Sequence, residues 1–240
     1  MLILAFESSA KPVSVAVYQT PDVDNTGKLL GQSFQNNGFS HSRTLLAMTE
    51  ALLNNLELKP ADIGLLAVAN GPGSFTGVRI GVSAVKGLAW GLDIPVCGVS
   101  TLEAMAYQTE ETDVIICPVM DARRGQVYNA LFQWQDSTLI RLCDDRAISL
   151  DDLAIDIKVY DQPTLLVGDG TSVCKNVCAD STGSMDQISE VFSNCRVTPE
   201  LMRYQTAYGV ALAAVAAKPI PAVELEPFYL RPSQAERERK

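Results

Sequence analysis

A single histidine, His41, stands among 240 residues, so a metal site built on paired or clustered histidines is excluded within this chain. Long apolar runs are also missing. No stretch approaches the ~20 residues of a membrane span, so no membrane role is expected. The start Met1-Leu2-Ile3-Leu4-Ala5-Phe6-Glu7 lacks the basic opening and long apolar middle of a signal peptide, which makes the cytoplasm the expected location. Basic charge is scarce: 19 Lys and Arg face 28 Asp and Glu, for a formal net charge of -9. The basic residues are scattered except at Arg237-Glu238-Arg239-Lys240, so extensive direct grip on a nucleic-acid backbone is disfavoured. If RNA is involved, a partner supplies most of the hold. Paired cysteine spacing is absent too. Cys97 and Cys117 lie in apolar runs, and Cys143, Cys174, Cys178 and Cys195 show no repeated interval, so buried thiols are expected. Cys174 and Cys178 share a helix face if that segment is helical, but two sulfurs without a histidine make a poor zinc site.

What is present is core-forming material, 47% hydrophobic residues, and a glycine-rich run. Gly71-Pro72-Gly73-Ser74-Phe75-Thr76-Gly77-Val78-Arg79-Ile80-Gly81 joins the apolar strand Leu65 to Ala69 to a segment of helical length. Each glycine inside a helix costs ~1 kcal/mol relative to alanine, so something must come close to this backbone. At steps of four, three, three and four residues, Gly77, Gly81, Ala84, Gly87 and Gly91 form one small-residue face. That face serves tight packing, inside the domain or against another subunit, or else the loop ahead of it cradles an anion. It is no P-loop, because no Gly-Lys-Ser or Gly-Lys-Thr follows, and the dinucleotide glycine spacing is absent.

Along the chain, Leu2 to Phe6, Val13 to Tyr18 and Leu29 to Phe34 read as a hairpin and a third strand. Ser40 is the expected cap of an amphipathic helix whose stripe is Leu45, Met48, Leu52, Leu53 and Leu56. The strand Leu65 to Ala69, the glycine-faced helix, the strand Pro95 to Val99 and a helix opened by a Ser100/Glu103 capping box follow. A second set starts near Asp113: Val114 to Met120 leads through Asp121-Ala122-Arg123-Arg124-Gly125 into one strand, Gln126 to Trp134. This echoes the chain's own beginning, because in both places a buried strand ends at a carboxylate, Glu7 or Asp121, before a short turn. Two related lobes are expected, residues 1–105 and 106–240, with the tail from about 219 packing back on the first. Leu165 to Val167 reads as a strand and Leu201 to Ala217 as one helix capped by Thr198, while residues 135–197 give little signal.

Catalytic signals are few. No Gly-x-Ser-x-Gly elbow or cysteine nucleophile setting accompanies His41, which reads as a first-turn helix residue. Glu7, Ser8 and Asp121 are the candidate nucleotide-binding residues. The two acids either hold a metal-nucleotide complex or cap their own hairpin turns, and the cap is the simpler reading.

Six stretches together resemble the TsaB family, also called YeaZ. They are Leu2-Ile3-Leu4-Ala5-Phe6-Glu7-Ser8-Ser9, His41-Ser42, the Gly71 to Gly81 run, Gly98-Val99-Ser100-Thr101-Leu102, Asp121-Ala122-Arg123-Arg124-Gly125-Gln126-Val127-Tyr128 and Pro227-Phe228-Tyr229-Leu230-Arg231. The resemblance implies an α/β, two-lobed fold of the actin, sugar-kinase and Hsp70 type with duplicated mixed-sheet lobes. It implies a helper role for the catalytic relative TsaD in making threonylcarbamoyladenosine at position 37 of tRNAs that read ANN codons. TsaE is a further implied partner, tRNA is met mainly through partners, and self-association into a homodimer is expected when TsaD is absent. The metal-binding histidines of TsaD fall at Thr101 and Met105 here, so neither catalysis nor metallopeptidase activity is expected. No cofactor is expected in the isolated chain, and any nucleotide belongs at the boundary with TsaD. Glu7 departs from the aspartate usual in the family after this strand. The expected partner interface is His41, Leu45, Met48, Gly77, Gly81, Ala84, Gly87 and Gly91, and Gly81→Leu is expected to leave the fold intact while abolishing TsaD copurification. The rivals are an ATP-dependent phosphotransferase of the same fold, with the Gly168-Asp169-Gly170 turn in its cleft, and an interaction module independent of tRNA.

Overall fold

The structure, a computed structural model, describes residues 1–22, 26–38, 41–174 and 194–231. Ser40 and Cys178, invoked above as a cap and a helix-face thiol, lie outside the described residues. The chain forms two compact units: Met1–Ala104 together with the stretch from Gln205 onward, and Met105–Tyr204.

The first unit is built on β1 (Leu2–Glu7), β2 (Val13–Gln19), β3 (Lys28–Gln35), β4 (Leu65–Gly71) and β5 (Val96–Ser100), in the order β3-β2-β1-β4-β5. β3, β2 and β1 are antiparallel, whereas β1, β4 and β5 run parallel. β1 reads as an unbroken apolar run because both faces of the sheet are covered. On one face, α1 (His41–Asn55) contributes Leu45, Met48, Leu52 and Leu53, and α2 (Phe75–Leu92) contributes Val78, Val82, Val85 and Ala89, to a core with Leu4, Phe6, Val15 and Val68. The opposite face carries the alternate residues of the strands, among them Ala5, Ser14, Ala16 and Ala67, all fully buried. There lies α6 (Ala207–Ala216), whose Ala207 N–H donates to the Ser14 hydroxyl at 3.0 Å. Small residues on both sides let this helix sit close, which is why the chain rejoins the first unit at Gln205 rather than at about 219.

The second unit repeats the plan: β6 (Ile115–Arg123), β7 (Gln126–Asn129), β10 (Arg146–Ser149), β11 (Thr164–Val167) and β12 (Cys195–Val197) are ordered β10-β7-β6-β11-β12. β10, β7 and β6 are again antiparallel, and β6, β11 and β12 parallel. β8 (Phe132–Gln135) and β9 (Thr138–Arg141) form an added hairpin that meets β6 through β8. α3 (Thr101–Tyr107) precedes this unit's sheet, and its Glu103 N–H donates to the Ser100 hydroxyl at 3.3 Å, the expected cap. α4 (Leu150–Lys158) packs Leu150, Leu153 and Ile157 onto Ile115, Cys117, Val119 and Leu166.

Two sequence expectations change. The single strand Gln126 to Trp134 breaks into β7 and β8, because Ala130 and Leu131, both buried, turn the chain between two different pairings. The single helix Leu201 to Ala217 becomes α5 (Glu200–Arg203) and α6. Thr206, not Thr198, caps the longer piece, accepting the Gly209 N–H at 3.2 Å, while the Thr198 hydroxyl donates to the Leu166 carbonyl.

Candidate functional site

The glycine run resolves into two halves with different roles. Ser74 caps α2, its hydroxyl accepting the Gly77 N–H at 3.3 Å. The helix then passes over the β1–β2 turn so closely that a Cβ on Gly77 would lie 2.1 Å from the Ser8 carbonyl oxygen. On Gly81 it would meet the Ser8 hydroxyl at 2.5 Å and Val68 at 3.1 Å, and on Gly73 the Ser9 carbonyl at 2.4 Å. The Ser8 hydroxyl donates to the Gly77 carbonyl at 2.9 Å, and the Ser74 N–H to the Ser9 carbonyl at 2.6 Å. Gly77 and Gly81 therefore serve packing inside the unit, and the expectation that they face a partner is corrected. Gly81→Leu, expected to leave the fold intact, would instead drive a side chain into Ser8 and Val68. The anion reading also weakens, because the Ser74 and Gly77 N–H groups already have acceptors in the chain.

Beyond the turn the same helix face opens. Nothing lies within 4 Å of a Cβ on Gly87 or Gly91, and both residues are exposed. Trp90 sits between them, 88% exposed. With Thr76, Arg79, Ile80, Ser83 and Ala84 these residues form one outward stripe along α2. Between α1 and α2 runs a groove of about 530 Å³, lined by His41, Leu46, Arg79, Ile80 and Ala84 among others. Leu46 is 50% exposed, whereas Leu45 and Met48, expected at the interface, point inward at 1% and 5%. Their stripe faces the sheet and packs in its core, although Leu45 also borders the groove between α1 and α2. His41 is half-buried, with Nε2 2.7 Å from the Ala10 carbonyl, which ties the start of α1 to the β1–β2 turn. Sequence reading missed Leu46 and Trp90, although each is a large apolar residue one step off its helix's core stripe.

The stripe is braced from the C-terminal side within the same unit. The Lys86 ammonium donates to the carbonyls of Val223 and Leu225 at 3.2 and 3.0 Å, and Tyr229 stacks on Phe75 with ring centroids 4.3 Å apart. Arg79 lies 3.9 Å over the Phe75 ring and donates from Nε to the Tyr229 hydroxyl at 2.9 Å.

The candidate nucleotide residues are placed differently. Glu7 and Ser8 are fully buried, and Glu7 Oε1 accepts the Ser9 N–H at 2.5 Å. Asp121 Oδ1 accepts the Arg123 N–H at 2.7 Å. Each acid thus bonds the amide two residues on, as a turn cap does. In the Gly168-Asp169-Gly170 turn, a Cβ on Gly168 would lie 2.1 Å from the Val119 carbonyl oxygen, and the Gly170 N–H donates to that carbonyl at 3.0 Å, so these glycines serve close packing on β6. Thr101 and Met105, at the positions of the TsaD histidines, are buried at 0% and 1%. Among the described residues no three His, Cys, Asp or Glu side chains are grouped to hold a metal ion, and no helix is long and apolar enough to cross a membrane. Burial pushes the Cys97 thiol up to about 11, with the Glu103 charge adding to it, and raises Cys117 and Cys143 as well. These thiols stay neutral near pH 7 and are poor nucleophiles and metal ligands.

Two units that repeat one strand order, each an antiparallel edge continued by parallel strands, have the α/β fold of the actin, sugar-kinase and Hsp70 type. The family model for TsaD, tRNA N6-adenosine threonylcarbamoyltransferase, matches residues 37–238, and the chain belongs to that family. It is 41% identical over 145 residues to the tRNA threonylcarbamoyladenosine biosynthesis protein TsaB of Bacillus subtilis, covering 60% of this chain and 63% of that protein. To the TsaB protein of Escherichia coli it is 36% identical over 135 residues, 55% of each chain. The matched stretch thus spans 55% to 63% of the length of these curated relatives. A solved Pseudomonas aeruginosa structure, described as similar to peptidase YeaZ, aligns with a TM-score of 0.74 over 96% of this chain and 99% of its own, at 24% identity, a likeness of fold. The resemblance to TsaB and YeaZ read from the motifs is borne out by these relatives.

Proposed function

We propose that this chain is a non-catalytic helper subunit that docks TsaD and supports it in forming threonylcarbamoyladenosine at position 37 of tRNAs reading ANN codons. The observation that carries the reading is the outward stripe of α2, where Trp90 stands 88% exposed between two glycines that leave its surroundings open. A tryptophan left bare beside flat backbone suits burial against another protein, since Trp is enriched among residues that dominate binding energy. The α1/α2 groove with Leu46 continues that surface and gives a partner helix an apolar bed. The buried Thr101 and Met105 support a helper rather than a catalyst, because neither is a useful ligand for a catalytic metal. Without TsaD the same surface pairs with a second copy, and a nucleotide, where the assembly uses one, lies at the TsaD boundary. TsaE joins the same assembly in the cytoplasm.

The test is copurification of the full chain with TsaD, together with mass spectrometry of tRNA from cells in which the gene is replaced. Trp90→Ala should stay folded, weaken the complex by about 2 kcal/mol or roughly 30-fold, and lower the modification. Unchanged association of Trp90→Ala and of Ala84→Arg would reject the docking face. Intact modification on deleting the gene would leave only an interaction module independent of tRNA. The phosphotransferase rival predicts magnesium-dependent ATP binding by the isolated chain. The burial of Glu7 and Ser8 argues against it.

A further inference from the structure

The β6–β7 turn is a tight hairpin, Arg123 pairing with Gln126 across Arg124 and Gly125. A two-residue loop of type I′ needs positive φ at both central positions, which Asn, Asp and Gly supply at least strain. Here φ is 58° at Arg124 and 68° at Gly125, and Arg123 before them is also left-handed at 67°, at a register shift in the ladder. Two consecutive arginines thus occupy backbone that disfavours any β-carbon. Neither is used to hold the fold. Arg124 is exposed, and among the described residues it makes no hydrogen bond or ion pair. The Arg123 side chain is 85% exposed, and its Nε is 3.9 Å from Asp121 Oδ2, a contact that orients the arm without covering it. The Asp121 cap on the Arg123 amide fixes the turn that carries both arms. Strain kept where a cheaper residue would turn the chain points to a use for the side chains.

We propose that this hairpin tip is a phosphate-contacting finger, with Arg123 and Arg124 meeting the phosphodiester backbone of the RNA on which the assembly acts. The inference rests on the tRNA reading above. Planar guanidinium forks match phosphate oxygens and remain charged at every physiological pH. On a chain of net charge -9, a polyanion is repelled broadly, so a paired cation on a stiff hairpin sets where it approaches. The finger adds to a grip supplied mainly by the partner.

The test uses the full chain in complex with TsaD, an unmodified tRNA transcript as probe, and anisotropy titrations across a salt series. In Arg123→Gly/Arg124→Gly the turn keeps its favoured backbone and the arms are lost. The variant should still coelute with TsaD and melt no lower than the parent. It should bind tRNA about 5- to 30-fold more weakly, with the slope of log affinity against log salt reduced by about one to two. Arg123→Lys/Arg124→Lys should recover part of the affinity. Unchanged tRNA affinity with coelution intact would overturn the finger alone. Coelution lost would assign the arginines to a protein contact, and weakened ATP binding with tRNA binding unchanged would assign them to a nucleotide; either overturns the proposal. Failure of the parent chain itself to coelute with TsaD would instead overturn the helper reading on which the finger rests.

Discussion

The two hairpins that open the two units share a plan and differ in what lies over them. In the first unit, β1 ends at Glu7, and the turn after it is sealed: Ser8 and Ser9 are fully buried under the start of α2, with Gly73 and Gly77 at the contact. In the second, β6 passes Asp121 into a bare tip, because the glycine turn after β11 meets β6 further back, at Val119 and Met120. Both acids cap their turns in the same way, but Glu7 pairs with Ser14 across a long loop and Arg123 with Gln126 across Arg124 and Gly125 alone, so the difference lies in the cover and in the length of the loop. A duplicated framework has thus been divided: one copy has closed its turn to build a helix pair with an outward stripe, and the other has kept its turn open. The cap by itself is sufficient reason for a carboxylate at both positions.

The largest break of this contrast is at the contact itself. Gly77→Ala places a methyl group 2.1 Å from a backbone oxygen, which only movement of α2 can relieve, at a cost of about 3 kcal/mol. Gly168→Ala meets the Val119 carbonyl at the same 2.1 Å and adds strain at a φ of 112°. Both variants should melt lower by calorimetry. Hydrogen exchange should separate them: the Ser9 and Ser74 amides lose protection in Gly77→Ala and keep it in Gly168→Ala. Equal loss at those amides in both variants would mean the cover on the first hairpin is not local.

Much of the first unit was legible because its strands are apolar runs closed by polar turns, and because α1 and α2 carry clear core stripes. The partner of the glycines was not. A small-residue strip signals close approach, yet the approaching group is set by where the helix crosses the sheet end, and a rise of about 1.5 Å per residue carries α2 past the β1–β2 turn before Gly87. Met48 was assigned to a partner although its stripe is the one that faces the sheet, whereas Leu45, on the same stripe, also reaches the edge of the α1/α2 groove. The second unit was harder to read. β9 and β10 are four-residue strands with no fully buried position, so no run of core residues marks them, and the α5–α6 break is set by the Thr206 hydroxyl inside a helix-compatible run.

Removing the caps sharpens the comparison at smaller cost. Asp121→Ala frees one exposed amide and should lower stability by about 1 kcal/mol, while Asp121→Asn, which keeps an acceptor, should lose less. Glu7→Ala also empties buried space and should lose more, roughly 2–3 kcal/mol. Chemical denaturation of the four chains, parent included, reads the order. A Glu7→Ala effect no larger than that of Asp121→Ala would contradict the sealed-turn description.

The smallest effect has the opposite sign and tests where the seal ends. A Cβ on Gly87 meets nothing within 4 Å, so Gly87→Ala removes a helix-interior glycine without a clash and should raise stability by about 0.5–1 kcal/mol. The same change at Gly77, nearly three turns earlier, is destabilising, and the pair of signs locates the transition from packed to open helix. The gain also carries a functional reading. If the open stripe is a docking face, Gly87→Ala stabilises the free chain yet places a methyl group beside Trp90 where a partner must approach, so its melting temperature and its affinity for TsaD should move in opposite directions. A raised melting temperature with unchanged affinity would show that this part of α2 is simply solvated, and would return Trp90 to the status of an unpartnered surface residue.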